Sequence, residues 1–523
     1  MSCINRKHVL WIVLMLSSLS FFCNGCTAGK LYARKRIIAD TPHSSPIKKY
    51  RSRDLITRAY AHYLRGLLYD KQNKLELAIE EYRRASNYDR RSSAIALKLG
   101  TAYFKKGNFD KSIRELKKVL SFEPDNIEVR ALLGIIYATS GNLPDAALIY
   151  EEIIEIEPEN KQSLLNLADI YVLENKNEKA IFIYEQLLKL PDVNLSYIYF
   201  NLGMLYVQIN RLNEAVVNLE HAIRLDPNYL EAQLGLGLVY ELKNEPDKSG
   251  AAYERAIQIK PSNAFAYFRL GQMYIQQNSY KQALEQFQKV LELNPQISDT
   301  YFEIAHIHLK NNEIDAAIEI LHKAESIIEE KSRLFLLLGL AYSLRSDFEE
   351  AEGYYKKSLE LAPKDDLVYF YLGALYEKKK MPELAKKQFI KTLEFNPNNA
   401  DACNYLGYMY AEEGIRLDEA INLISRALTI EPDNGAYVDS LGWAYFKKGD
   451  LDNALIQLER AVKFLTTDPI IYDHLGDAYW EKGKRDKAIE QWQKSLELDP
   501  AQNGVREKLD KLKENDPVSN IKN

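Results

Sequence analysis

One pattern of small and aromatic residues is repeated along most of the chain. A small residue recurs every 34 residues, except for two steps of 35. A Tyr follows three positions later in twelve of the thirteen units, and His308 takes its place in the other. The small residues are Gly66, Gly100, Gly134, Ala168, Gly203, Gly237, Gly271, Ala305, Gly339, Gly373, Gly407, Gly442 and Gly476. A period of this length indicates an array of one structural unit rather than several different domains.

Each unit contains two stretches with the apolar spacing of a helix. In the second unit, residues 97–103 and 113–120 carry apolar side chains every three or four positions. Lys106-Gly-Asn108 separates the two stretches and predicts a turn, and Pro124 ends the second helix because Pro disrupts a helix interior. A second small residue, usually Ala, lies twelve positions after the first. The pattern therefore predicts a helical hairpin in which two backbones approach closely.

This repeated frame resembles the tetratricopeptide repeat (TPR) family over residues 59–502. The resemblance implies an all-α fold, an α-solenoid forming a right-handed superhelix of about thirteen hairpins, whose first helices line a concave groove. After the last unit, Val505, Leu509 and Leu512 form an apolar stripe in an otherwise charged segment. We expect residues 503–523 to comprise a C-terminal capping helix from Gly504 to Asn515 and a disordered tail.

The first 25 residues have the layout of a secretory signal. Arg6 and Lys7 precede an apolar run from Val9 to Cys23, which is shorter than the roughly 20 residues that a spanning helix needs. Gly25 and Cys26 follow, and this segment resembles a bacterial lipoprotein signal in which Cys26 becomes the lipidated first residue. Thr27 is compatible with transport to the outer membrane in that family. The prediction is a lipid anchor facing the periplasm; plain secretion and an uncleaved anchor are the alternatives.

Charge is divided between a basic tether and an acidic body. Residues 26–53 carry eight Lys or Arg residues and one Asp, a net charge of +7. Residues 1–25 carry +2 and the whole chain −5, so residues 54–523 carry −14. An acidic body argues against binding of nucleic acid, which needs a basic surface. We interpret residues 26–58 as a tether that either lies beside anionic lipid headgroups or acts as a solvated spacer.

The repeats carry no recognisable catalytic motif. They lack a Gly-rich phosphate loop, a His-Glu-x-x-His sequence and a Cys-x-x-Cys pair. Cys403 occupies a position where other units have aromatic residues, so it is expected to be buried, and His306 and His308 are expected to be structural. We therefore expect a protein without enzymatic activity, cofactor or metal, whose function depends on its surface.

The groove is predicted to contain an apolar stripe. When the small residue of each unit is numbered position 8, positions 5, 9 and 12 share one helix face, and the resemblance implies that this face lines the groove. Position 5 is apolar in six consecutive units, at Phe200, Leu234, Phe268, Phe302, Leu336 and Phe370. This stripe is either a binding track for a peptide or packing between neighbouring first helices.

A second candidate surface lies in the last three units. It combines aromatic and acidic side chains at Tyr408, Asp439, Trp443, Asp473, Asp477 and Trp480. If Trp443 and Trp480 are exposed and the carboxylates are not offset, this surface would suit a cationic peptide or a sugar. Packing beside a solvated acidic face is the alternative. No unit has Lys or Arg at position 5 or 9, which disfavours the clamp for two carboxylates known in chaperone adaptors of the family.

The chain also resembles bacterial TPR envelope lipoproteins. That resemblance implies a scaffold that binds partner proteins in its groove, in the assembly of an envelope, pilus, secretion or exopolysaccharide machine. A glycan-binding accessory protein is the alternative, and a cytoplasmic regulator with an N-terminal anchor is a third hypothesis.

Overall fold

The structure is a computed structural model that describes residues 46–329 and 331–514, with side chains from residue 54 to residue 512. These residues form 27 helices and no strand. They divide into two compact units after Gln286. The helices that begin in the first unit are α1 (Pro46–Lys71), α2 (Leu75–Tyr88), α3 (Ser93–Lys105), α4 (Phe109–Phe122), α5 (Ile127–Thr139), α6 (Leu143–Ile156), α7 (Lys161–Leu173), α8 (Asn177–Leu187), α9 (Leu195–Gln208), α10 (Leu212–Leu225), α11 (Leu230–Leu242), α12 (Pro246–Ile259), α13 (Ala264–Gln276) and α14 (Tyr280–Leu293).

The second unit continues with the same alternation of first and second helices. It contains α15 (Ser298–Lys310), α16 (Ile314–Glu325), α17 (Ser332–Leu344), α18 (Phe348–Leu361), α19 (Asp366–Lys378), α20 (Pro382–Phe395), α21 (Ala400–Glu412), α22 (Leu417–Ile430), α23 (Gly435–Lys448), α24 (Leu451–Phe464), α25 (Pro469–Glu481), α26 (Arg485–Leu498) and α27 (Asn503–Glu514). Within each unit, a first helix contacts its own second helix and the second helix of the preceding repeat. The predicted all-α solenoid of helical hairpins is confirmed.

The first helix begins earlier than predicted. Residues 46–58 were interpreted as part of a tether, but α1 starts at Pro46. Pro suits the first turn of a helix, where its missing N–H has no partner to lose, and neither Gly nor Pro interrupts residues 47–65. The predicted signal segment, Cys26, the rest of the tether and the tail after residue 514 lie outside the described residues.

The small residue at position 8 marks the closest approach of the two helices in a hairpin. A Cβ added to Gly339 would lie 2.5 Å from ring carbons of Tyr355, and one added to Gly476 would lie 2.5 Å from Trp492. Both large side chains belong to the second helix of the same repeat and are buried. The predicted close approach of the two backbones also occurs, because a Cβ added to Gly407 would lie 2.9 Å from the carbonyl oxygen of Ala420. At Gly339 and Gly476, by contrast, the first helix packs against a large side chain of the second.

The repeated Tyr joins neighbouring repeats. The hydroxyl of Tyr206 donates to Glu185 at 3.3 Å, that of Tyr240 to Glu220 at 3.2 Å, and that of Tyr479 to Glu459 at 2.7 Å. Each Glu lies on the second helix of the preceding repeat. The aromatic ring packs between neighbouring repeats, and its hydroxyl donates to a carboxylate. Tyr suits this place because its ring is apolar and its hydroxyl is polar.

Each hairpin turns through one residue in the left-handed region, and the eleventh repeat adds a second, Arg416. The shared residue lies seven positions after the small residue in all thirteen repeats, and φ is +57° at Asn175 and +74° at Gly107. Gly or Asn occupies it in eleven repeats, because these residues adopt positive φ at the lowest cost. Ser346 and Lys380 are the two exceptions.

The predicted capping helix is confirmed as α27. Its Val505 is buried against Leu475 and Trp492, and Leu509 and Leu512 pack beside them. Its other face is charged, so α27 closes the apolar end of the last hairpin and presents polar groups outward. Buried Cys403 also agrees with the prediction.

We predict opposite effects for two Gly→Ala substitutions in one repeat. Gly339→Ala should destabilise the protein by about 1–2 kcal/mol, because overpacking against Tyr355 exceeds the gain in helix propensity. Gly353→Ala should stabilise it by about 0.5–1 kcal/mol, because no atom lies within 4 Å of the added Cβ. Chemical denaturation measures both. Equal effects of the two substitutions would contradict the proposed contact.

Candidate partner-binding surface

The apolar stripe at position 5 is packed within the repeats. Phe200 and Phe302 are buried, and Leu234, Phe268, Leu336 and Phe370 are half-buried. The ring of Phe200 lies 5.2 Å from that of Tyr229 at the start of the next first helix. Since none of the six side chains is exposed, the geometry favours packing between repeats over an open binding track.

Trp443 is buried, which corrects the prediction that it would be exposed. Only 7% of the residue is accessible. Its indole Nε1 donates a 2.6 Å hydrogen bond to Glu412, and the rings of Phe446 and His474 stack on it at 4.9 and 4.0 Å. Glu412 comes from the preceding repeat and His474 from the following one, so Trp443 is a core residue that connects three repeats.

Asp439 is also buried, and it is paired with a histidine. His474 Nδ1 lies 2.9 Å from one carboxylate oxygen of Asp439 and 3.1 Å from the other. Burial alone would lower the pKa of His474, but the charge and hydrogen bond of Asp439 outweigh it, so that the pKa is raised. The carboxylate of Asp439 therefore pairs with a side chain of the protein itself and is not available to a partner.

Asp473 and Asp477 are bridged by a lysine of the capping helix. Lys508 Nζ lies 2.6 Å from an oxygen of each carboxylate. Burial raises the pKa of Asp477, and the neighbouring Asp473 raises it further, whereas Lys508 and the indole of Trp492 lower it. The expectation that nothing offsets these carboxylates is therefore corrected, because Lys508 of α27 supplies one positive charge between the two.

The accessible part of this surface is smaller than predicted. Trp480 is half-buried, 5.7 Å from the ring of Trp492, and Tyr408 is half-buried on α21. Asn404, one helical turn before Tyr408, has a buried side-chain oxygen without a hydrogen-bond partner. Burial and the nearby carboxylates of Glu412 and Asp439 raise the pKa of Tyr408 well above its usual range, so it remains a neutral phenol.

Three groups that decide the chemistry here were not predicted from the sequence pattern. Glu412, His474 and Lys508 each satisfy a side chain that had been assigned to partner binding. Their separations from those side chains are 31 or 35 residues. A comparison of polar residues one repeat apart could have paired Glu412 with Trp443 and His474 with Asp439, whereas Lys508 lies outside the repeats.

A half-buried carboxyl group at a predicted groove position of an earlier repeat was also missed. Asp169, at position 9 of the fourth repeat, accepts hydrogen bonds from the hydroxyls of Tyr184 at 2.7 Å and Tyr197 at 3.5 Å. Burial raises the pKa of Asp169 to about 6, although both hydroxyls lower it.

No described helix is long and apolar enough to cross a membrane. Across the described residues, no group of three or more His, Cys, Asp and Glu side chains could hold a metal ion.

Comparison with known families agrees with this architecture. Sequence models described as tetratricopeptide repeats match residues 71–136, 137–193, 230–263, 264–297, 298–331, 334–368 and 469–502, and a model described as TPR repeat matches 203–244 and 442–483. Together these matches cover more than half of the chain. The protein belongs to the tetratricopeptide repeat family, whose arrays are protein-interaction scaffolds.

Solved structures give partial matches, and no curated protein sequence matches significantly. The crystal structure of MamA is 31% identical, with 31% of this chain and 95% of that chain covered and a TM-score of 0.30. The Cut9–Hcn1 hetero-tetramer of the APC/C is 15% identical, with coverages of 89% and 99% and a TM-score of 0.42. A tetratricopeptide repeat protein from Parabacteroides merdae is 22% identical, with coverages of 48% and 98% and a TM-score of 0.35.

We predict that Asp169→Asn stabilises the protein at neutral pH. Because the folded-state pKa of Asp169 is about 6, above the ordinary 3.8, the ionised group costs stability as pH rises between those values. The substitution should therefore raise the free energy of unfolding by about 1–3 kcal/mol at neutral pH and have little effect below about pH 4. Denaturation across pH measures this, with exposed Asp125→Asn as the control. A pH-independent effect of Asp169→Asn would contradict the prediction.

Proposed function

We propose that this protein is a non-catalytic adaptor, anchored by lipid at the bacterial envelope, that holds an extended segment of a partner protein in its groove. Its function is then to place a partner beside the membrane for the assembly of an envelope machine. The repeat architecture supports the scaffold, and the sequence from Arg6 to Cys26 supports the anchor.

The observation that carries the groove proposal is the arrangement of Asn404 and Tyr408. They lie four residues apart on α21 and therefore share one helix face. Asn404 and Tyr408 are both half-buried, so each side chain keeps an accessible part that a partner can contact. An amide side chain beside Tyr408, which offers an apolar contact with a polar tip, suits the polar backbone and apolar side chains of an extended peptide.

The alternative of glycan binding loses its main support. Sugar recognition was inferred from two exposed indole rings, but the ring of Trp443 is stacked by Phe446 and His474. Trp480 is half-buried and has Arg485 5.4 Å from its ring. We therefore favour a protein partner.

The groove proposal is tested by capture of partners from detergent-solubilised envelopes. Asn404→Ala combined with Tyr408→Ala should weaken binding of the captured partner by about tenfold or more, as expected for central interface residues. The matched control is Leu361→Ala with Ile390→Ala, two exposed aliphatic residues on second helices. Asn404→Leu alone removes the amide group and keeps a side chain of similar size, so it disturbs packing less than the double substitution. Equal capture by all variants would exclude this part of the groove.

The proposed lipid anchor is tested separately by Cys26→Ser. This substitution should release the protein from membranes or leave the precursor uncleaved, because Cys26 is the proposed lipidation site. Fractionation and electrophoretic mobility measure the two outcomes, and Cys403→Ser serves as the control. An unchanged size and membrane association would remove the lipid anchor from the proposal.

A further inference from the structure

The first helix exposes apolar residues along one face. Ile56, Tyr60, Leu64 and Leu68 are exposed at spacings of four residues, and Ala61 is exposed beside them. At 100° per residue these five positions fall within an arc of about 140°. We call this surface the α1 face.

Two positions of the α1 face are core positions in the rest of the array. Ala61 corresponds to position 3 and Leu68 to position 10. Position 3 is buried in all twelve later repeats, at Ile95, Val129, Ser163, Ile198, Ala232, Ala266, Thr300, Leu334, Val368, Ala402, Tyr437 and Ile471. Position 10 is buried in eleven of them, with Met409 half-buried.

Leu68 is nevertheless 55% exposed and Ile56 58%. In later repeats the first helix contacts the second helix of the preceding repeat, whereas no described repeat precedes α1. The sequence thus keeps large apolar residues, rather than the polar ones of a cap, at a place where the described chain provides no cover. Contiguous exposed apolar surface of this kind marks an interaction site.

The charge of α1 indicates what kind of surface it meets. Pro46–Lys71 contains seven Lys or Arg residues and two Asp residues, a net charge of +5. Arg58, Arg65 and Lys71 are exposed on the same helix as the α1 face. A second copy of α1 would bring equal positive charges together. Residues 27–45 carry four basic residues and one acidic residue, so they too would be repelled.

An anionic lipid surface complements both properties. Helices with an apolar stripe and flanking Lys or Arg lie in the membrane interface, where the stripe enters the boundary of the acyl chains and the cations contact headgroups. The proposed anchor at Cys26 lies 20 residues before Pro46, so a lipidated chain holds α1 close to the bilayer and raises its effective concentration there.

We propose that the α1 face docks on an anionic phospholipid bilayer. This inference deepens the envelope location given under Proposed function and rests on it. The docked helix adds a second membrane contact to the lipid chain, and stable anchoring generally needs two such signals.

The test uses the chain from Thr27 onward, which lacks Cys26 and retains every described helix. Sedimentation with vesicles of phosphatidylcholine and phosphatidylglycerol is compared with sedimentation with phosphatidylcholine alone. Ile56→Gln with Leu68→Gln should weaken binding to the anionic vesicles by at least about tenfold, because two aliphatic side chains no longer enter the interface. Added salt should weaken binding of the unsubstituted chain.

The matched control is Phe182→Gln with Ile456→Gln, which changes two residues of similar exposure, 58% and 59%, on second helices. Equal binding of both double variants, or equal binding to the two vesicle types, would overturn the proposal. Loss of thermal stability confined to the α1 variant would show that the chain itself covers this face, and loss of self-association would show that a second copy does. Because the assayed chain carries no Cys26, these outcomes are independent of the Cys26→Ser result.

Discussion

The contact between a bare stretch of first helix and one large side chain of the second helix determines the rest of this structure. At Gly339 and Gly476 an added Cβ would lie 2.5 Å from an aromatic ring carbon, so these two hairpins pack as they do only because position 8 has no side chain. That packing sets the spacing at which the next repeat stacks. A hairpin alone leaves an apolar face open, and stacking of repeats covers it.

Polar contacts between neighbouring repeats favour one register of this apolar stacking. Tyr206 donates to Glu185, Trp443 to Glu412, and Lys508 bridges Asp473 and Asp477. Tyr206 and Trp443 are buried, so a displaced neighbour would leave the hydroxyl or the indole N–H of a buried side chain without its acceptor. The apolar contacts favour stacking in general, whereas these pairs favour one register.

The sequence frame was sufficient for the fold and insufficient for the candidate site. A 34-residue period with small residues and Tyr in register specifies the hairpins and the burial of Cys403. It also identifies the helix face on which Trp443 lies. It does not reveal the groups that approach that face from other repeats, and Glu412 and His474 cover the indole from both neighbours. Lys508 lies beyond the repeats altogether, so the periodic pattern could not assign it to Asp477.

The apolar surface is covered at the C-terminal end of the array and exposed at the N-terminal end, and this difference affects local unfolding. At the C-terminal end α27 covers the last hairpin with Val505, whereas Leu68 in α1 remains open to solvent. A terminal repeat with fewer buried contacts opens at a lower free energy than one that is covered, so fraying and amide hydrogen exchange begin at α1. A lipid surface that binds the folded α1 would raise that opening energy by mass action. Attachment to the membrane and order in the first repeat would then be thermodynamically linked.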